Sequence, residues 1–186
     1  MRCAVEVAAI RAEPSDDAEQ VTQALLLEPL EADEQREGWV HVVTAYGYPG
    51  WVKAEALEDG KGELPSGSGA TPLEEARRFL GSPYEWGGMT AKGIDCSGLV
   101  HVAHRLAGLM VPRDSWQQEA AGAPVSEDDA RAGDLVTYGG TDRASHIAFW
   151  LESGRILHAT SRAGLGVVEE GEPAELRRAR RAVIRL

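Results

Sequence analysis

The stretch "GIDCSGLV" at residues 93–100 places a cysteine after an aspartate and ahead of an apolar run. A thiol attacks as its thiolate, so a useful Cys96 needs a lowered pKa, a base and a place for an oxyanion. The run "DCSGLVHVAHRLAG" reads as a helix with Asp95 at its N-cap and Gly108 past its end, which puts Cys96 in the first turn. The free N–H groups and positive dipole end there favour an anion, so the sequence predicts a depressed thiol pKa. The backbone N–H of Cys96 is also placed to donate to an oxyanion, and Gly98 keeps the turn uncrowded.

The base must be one of five histidines. His41 alternates within "WVHVV" as an ordinary strand residue. His101 and His104 share a face of the Cys96 helix, which reads as a solvated or half-buried surface, and no further Cys/His cluster completes a zinc set with them. No metal site is therefore predicted. His146 and His158 lie on two strands joined by "LESGR". A two-residue loop there puts the two histidines on opposite faces. A three-residue loop, Glu152 to Gly154 with Gly154 left-handed, pairs Leu151 with Arg155. It brings the histidines to one face as diagonal neighbours roughly 7 Å apart. A catalytic pair thus requires an odd loop or a bulge.

The elements that must hold these residues follow from the pattern. "TPLEEARRFLG" is a helix with Thr71 as N-cap, Pro72 at its first position, Glu74 closing a capping box and Gly81 stopping it. "DSWQQEAAG" is a short helix started by Asp114. Strands are predicted at "DLVTYG", "SHIAFWLE", "GRILHAT", "GVVEE" and "RAVIRL", and helices followed by an antiparallel sheet mean α+β. Upstream, "CAVEVAAI", "EQVTQALLLEPLEADEQ", "GWVHVVTAYG" and "GYPGWVKAEAL" suggest a small antiparallel β-barrel. Residues 59–71 are rich in Gly, Ser and Pro and read as a linker between domains at 1–58 and 72–186.

Composition bounds the partners. Residues 1–64 carry 5 Lys/Arg against 14 Asp/Glu, and residues 65–186 carry 14 against 16, giving the net charge of −11. An acidic chain with no basic stripe argues against nucleic acid and suits a ligand with an amine. No apolar run approaches the roughly 20 residues that span a bilayer, so no membrane partner is expected. The N-terminal stretch, broken by Glu6, does not read as a signal peptide, which makes the expected location cytoplasmic. Cys3 and Cys96 are read as two free thiols, with one disulfide as the alternative.

The series "GSPYEWGGMTAKGIDCSGLVHVAHRLAG", "PRDSWQQ", "AGDLVTYGG" and "SHIAFWLESGRILHAT" resembles the NlpC/P60 cysteine peptidases over residues 72–186. The resemblance implies a papain-like α+β domain that cleaves peptidoglycan stem peptides, typically between γ-D-glutamyl and a diamino acid, with no cofactor. Position by position, Cys96 resembles the nucleophile, His146 the general base and His158 the residue that orients it. Tyr84 resembles a tyrosine of the oxyanion hole. Trp86, Asp95 and Ser97 resemble substrate-contacting positions. Asp95 is explained at least as well as an N-cap; for Tyr84 and Trp86 the weaker alternative is a pair of core aromatics before a Gly-Gly turn.

The N-terminal segment, above all "GWVHVVTAYGYPGWV", resembles bacterial SH3 domains. The pairing resembles a subgroup of cell-wall recycling peptidases in which the SH3-like domain restricts the cleft to short peptides with a free N-terminal L-alanine. That resemblance implies an amine pocket from Asp114 and Ser115, with Glu13 and Tyr48 contributed by the barrel. For Asp114 a plain N-cap, and for Glu13 a solvated loop charge, explain the residue as well. The competing functions are a secreted wall hydrolase anchored by the SH3-like domain, a non-catalytic peptide-binding module, and an acyltransferase or amidase on the same scaffold.

Overall fold

Alternation of apolar residues builds the first part of the chain. A computed structural model describes residues 1–186 and divides them into two compact units, Met1–Pro65 and Ser66–Leu186. The first contains β1 (Arg2–Cys3), β2 (Val7–Arg11), β3 (Gln20–Leu25), β4 (Leu30–Arg36), β5 (Trp39–Thr44), β6 (Pro49–Lys53) and β7 (Leu57–Glu58). β2 and β5 turn alternate residues inward. Ile10, Val40, Val42 and Val52 share a core with Cys3, Leu30 and Leu57. The strands order β3-β2-β6-β5-β4, with β1 on β7. Edge strand β4 is exposed beyond Leu30 and carries Glu31, Asp33 and Glu34, a charged border that discourages further strand pairing.

The second unit is α+β, as expected. Its elements are α1 (Pro72–Arg77), β8 (Met89–Thr90), β9 (Gly93–Ile94), α2 (Cys96–Leu106), α3 (Ser115–Ala121), β10 (Ala123–Val125), β11 (Leu135–Gly139), β12 (Ala144–Leu151), β13 (Arg155–Thr160), β14 (Gly166–Gly171), α4 (Ala174–Arg178) and β15 (Arg180–Arg185). Thr71 and Glu74 form the predicted capping box: Thr71 Oγ1 accepts from the Glu74 N–H at 3.3 Å and Glu74 Oε2 accepts from the Thr71 N–H at 2.8 Å. The helix ends at Arg77, short of the Gly81 predicted to stop it. Its last turns tighten through Arg78 N–H to Glu75 O and Phe79 N–H to Ala76 O.

Six strands order β10-β15-β11-β12-β13-β14, all pairs antiparallel. Val136, Tyr138, Ala148, Ile156 and Val183 cluster with Trp150, Leu176 and Ala179. The alternate residues Ile147, Phe149 and Leu157 are buried as well, and Phe149 stacks on His104 of α2 at 5.9 Å. A sheet covered on both faces explains why these strands read as near-continuous apolar runs. Ten of the eleven residues of α2 are buried, His101 at 0% and His104 at 4% exposure. The predicted solvated or half-buried face is therefore corrected. α2 packs against α1, β8, β12 and β13, so no side of it faces water.

Candidate active site

Asp95 sets the start of α2. Its Oδ1 accepts from the Gly98 N–H at 2.6 Å, and its Oδ2 from the Gly87 N–H at 2.8 Å. Arg113, 1% exposed, donates to both oxygens, at 3.0 and 2.7 Å, and to Ser97 Oγ at 2.9 Å. These donors occupy the Asp95 carboxylate and tie α2, the 84–88 loop and the segment before α3 into one buried ion-paired knot. A Cβ on Gly98 would overlap the Gly88 carbonyl oxygen, so the close approach of that loop requires glycine here. Arg113 escaped the sequence reading although it directly precedes Asp114.

Cys96 follows in the first turn of α2, 7% exposed, its sulfur beside the backbone N–H of Ile147. The predicted pKa depression is not what the site imposes. Burial, reinforced by the Asp95 charge, pushes the thiol up to about 12 and outweighs the Ile147 N–H, Arg113 and the Ser97 N–H, which pull the other way. Desolvation wins because the helix terminus that favours an anion is itself buried under the 84–88 loop and β12.

The hairpin that carries His146 and His158 takes the odd register. Leu151 pairs with Arg155, and Glu152–Gly154 form the loop, with both Ser153 and Gly154 left-handed at φ +61° and +68°. β12 and β13 pair as far as Phe149 and Leu157. Beyond that the two imidazoles meet, His146 Nε2 lying 2.7 Å from His158 Nδ1 with the rings edge to face. Burial, then the neighbouring His158, pushes His146 down to about 3, against a smaller opposing pull from Asp95. His158 is lowered by its burial, against the raising influence of Glu170. Burial thus favours the thiol over the thiolate at Cys96 and the neutral over the charged imidazole at His146 and His158.

Two further residues complete the histidine row. Glu170 of β14 lies 3.0 Å from His158 Nε2, and Arg162, in the β13–β14 loop, pairs with Glu170. The Tyr138 ring lies 5.7 Å from His146. Glu170 was missed because its place depends on the β13–β14 register, His158 opposite Val168 and Ile156 opposite Glu170, across a loop with Ala163 left-handed. The only signal was the adjacent pair of glutamates in "GVVEE".

The remaining predicted residues divide between the units. Tyr84 is half-buried and bridges Ile94 by its backbone. Its phenol is pushed well above the usual range by burial and then by the proximity of Cys96 and Asp95. Trp86 is 60% exposed and so is not a core aromatic. Ser115 Oγ donates to the Ala144 carbonyl at 3.2 Å, tying α3 to the strand of His146. Asp114 caps α3, where its own N–H donates to Gln117 Oε1 at 3.1 Å. Gln118 of the same helix donates to the carbonyls of Ser97 and Pro112. The structure thus gathers Tyr84, Asp95, Cys96, Ser97, His146 and His158. Glu13 and Tyr48 belong to the first unit, Glu13 exposed in the loop after β2 and Tyr48 half-buried in the turn before β6.

A cysteine at a helix start beside a strand that presents a histidine pair is an arrangement able to attack a carbonyl. Residues 81–178 match the NlpC/P60 family, and residues 10–57 match the bacterial dipeptidyl-peptidase Sh3 domain. The chain belongs to the NlpC/P60 family. Within it, the chain is 31% identical over 134 residues to a gamma-D-glutamyl-L-lysine dipeptidyl-peptidase of Bacillus subtilis, across 70% of this chain and 44% of that protein. An NlpC/P60 family protein of Bacillus cereus has the same fold over 99% of this chain and 62% of its own, with a TM-score of 0.59 at 21% identity. RipD of Mycobacterium tuberculosis, described as a non-catalytic NlpC/p60 domain protein adapted to peptidoglycan binding, superposes with a TM-score of 0.53 at 25% identity, over 62% of this chain and 95% of its own. The chain spans less than half the length of its Bacillus curated relatives. No helix is long and apolar enough to cross a membrane.

Proposed function

We propose that this NlpC/P60 chain is a cysteine peptidase that hydrolyses the γ-D-glutamyl–diamino acid bond of peptides derived from peptidoglycan. The observation that carries it is the imidazole row beside Cys96, with His146 held by His158 at 2.7 Å. The non-catalytic alternative exemplified by RipD has no use for a buried thiol set against linked histidines.

The chemistry follows from the neutral resting site. Cys96 sulfur attacks the γ-carbonyl carbon as its proton passes to His146, so no free thiolate has to be stored in a buried site. The carbonyl electrons move to oxygen, and the oxyanion is received by the Cys96 N–H and the Tyr84 hydroxyl. His146 then gives its proton to the departing amine and the C–N bond breaks, leaving a thioester. Water attacks the thioester with His146 again taking the proton, and the sulfur leaves and is reprotonated. Asp95 and Arg113 hold the start of α2, and Ser97 and Trp86 are assigned to substrate contact.

The preferred substrate is a short peptide with a free L-alanine amine ahead of γ-D-glutamate, handled in the cytoplasm during recycling of wall material. The dipeptidyl-peptidase type of the N-terminal domain and the named Bacillus relative support this. Amine recognition is assigned to Asp114 and Ser115, because a desolvated ammonium requires carboxylate or hydroxyl partners. The test uses synthetic L-Ala-γ-D-Glu-diamino acid tripeptide and its N-acetyl form. Wild type is expected to cleave the first at least about 100-fold better by kcat/KM, and Cys96→Ala to cleave neither. Activity in Cys96→Ala, or equal cleavage of the acetylated peptide and of intact sacculi, overturns the assignment.

A further inference from the structure

An imidazole can act as a base only through the nitrogen that lacks a proton, and the partner of its other nitrogen decides which one that is. A carboxylate can only accept, so at 3.0 Å from Glu170 the His158 Nε2 must carry its proton. His158 is neutral, its burial disfavouring the charged form, which leaves Nδ1 bare. His146 Nε2, 2.7 Å away, must then be the donor. Burial disfavours the charged form of His146 as well, so its own Nδ1 is bare and able to accept a proton. If the acceptor is removed, the row can invert: His158 Nδ1–H donates to His146 Nε2, and His146 carries its proton on Nδ1, where it is useless as a base. The groups facing His158 are His146 from β12 and Glu170 from β14, with Arg162 behind Glu170. Partial burial works against ionisation of Glu170, yet the hydrogen bonds from Arg162 and His158 hold its carboxyl below the usual range.

We propose that Glu170, held by Arg162, is a positioning residue that fixes the tautomers of His158 and His146 and so leaves His146 Nδ1 free to act as the base. The consequence for turnover rests on the peptidase reading; the tautomers themselves do not. Long-range ¹H–¹⁵N spectra of the imidazoles in the full chain report the tautomers with no substrate present. Wild type and Glu170→Gln, whose amide oxygen still accepts, are expected to show both histidines protonated on Nε2. In Glu170→Ala, His146 protonated on Nδ1 appears. Iodoacetamide labelling of Cys96 at pH 7.5, read by peptide mapping, slows by about tenfold or more in Glu170→Ala and by less than about threefold in Glu170→Gln. On the tripeptide, Glu170→Ala lowers kcat with little change in KM. Glu169→Gln, which alters the neighbouring carboxylate paired with Arg77 and Arg155, changes none of these.

Retention of Nε2 protonation on His146 in Glu170→Ala, with labelling within about twofold of wild type, overturns the proposal. The expected tautomers in a wild type that cleaves no γ-glutamyl peptide would remove the substrate reading and leave this one standing. Tripeptide cleavage with unaltered tautomers in Glu170→Ala would do the reverse.

Discussion

At the scale of residues, the site is organised by charges kept out of water. Asp95 and Arg113 are 5% and 1% exposed and meet through two charge-assisted hydrogen bonds. Such a pair adds little net stability over an apolar pair of the same shape, but breaking it strands a buried charge. Arg113→Met is therefore expected to cost about 3–5 kcal/mol in urea unfolding. The double variant Asp95→Asn/Arg113→Met should recover part of that, because the asparagine oxygen still accepts from an N–H at the helix start without needing a cation. Additive losses in the double variant would show that the two side chains do not act as a pair. The same charges bear on Cys96, where Asp95 raises the thiol pKa and Arg113 lowers it. The environment that specifies where the nucleophile sits is thus the one that keeps it protonated until a base takes the proton.

At the scale of elements, the hairpin of β12 and β13 decides whether His146 has a partner. Deleting Ser153 leaves an even loop, and a one-residue slip would send one histidine to the opposite face. Inserting Gly-Ser after Ser153 keeps the loop odd. The deletion is expected to abolish tripeptide cleavage and the insertion to retain it within about tenfold, since lengthening a surface loop by two residues costs little. Equal activity in the two variants would mean that the register does not control the pair. How much of this was legible follows from the same physics. Starts of helices at Thr71, Asp95 and Asp114 were readable because capping chemistry is local. The strands from Leu135 onward were readable because they are long and apolar. The register of the hairpin was readable only as a condition, since Ser153 adopts a left-handed backbone that its residue type does not announce. Two-residue strands such as β8 and β9 carry no period. Arg113 and Glu170 were hidden for another reason: each acts through a partner 18 or 12 positions away, across loops whose geometry no local pattern encodes.

At the scale of the whole molecule, the histidines are divided unevenly. His101, His104, His146 and His158 all lie in the unit Ser66–Leu186, while the first unit holds only His41, whose ring bonds Asp33 at the surface. Burial lowers the pKa of all four, His101 and His146 to about 3. A group whose folded pKa lies below its unfolded value of about 6.5 binds more protons when unfolded, so stability rises with pH across that window. The contribution is complete above about pH 6.5 and is lost progressively as pH falls towards 3. Between pH 7.5 and 5.5 His101 and His146 together give up roughly 3 kcal/mol, and the lowered His104 and His158 act in the same direction. The lowered carboxylates Glu119, Asp134, Glu170 and Glu172 act in the same direction in a lower window, below about pH 4.5, so they do not contribute to this drop. Urea unfolding of the full chain at the two pH values should therefore show the C-terminal transition moving to lower urea at pH 5.5. His101→Asn should reduce the pH-dependent part of the C-terminal shift and leave the share that His104, His146 and His158 supply. A C-terminal transition that keeps its midpoint from pH 7.5 to 5.5 would mean that these imidazoles gain protons in the folded state as readily as in the unfolded one, and the neutral resting site on which proton transfer from Cys96 depends would fall with it.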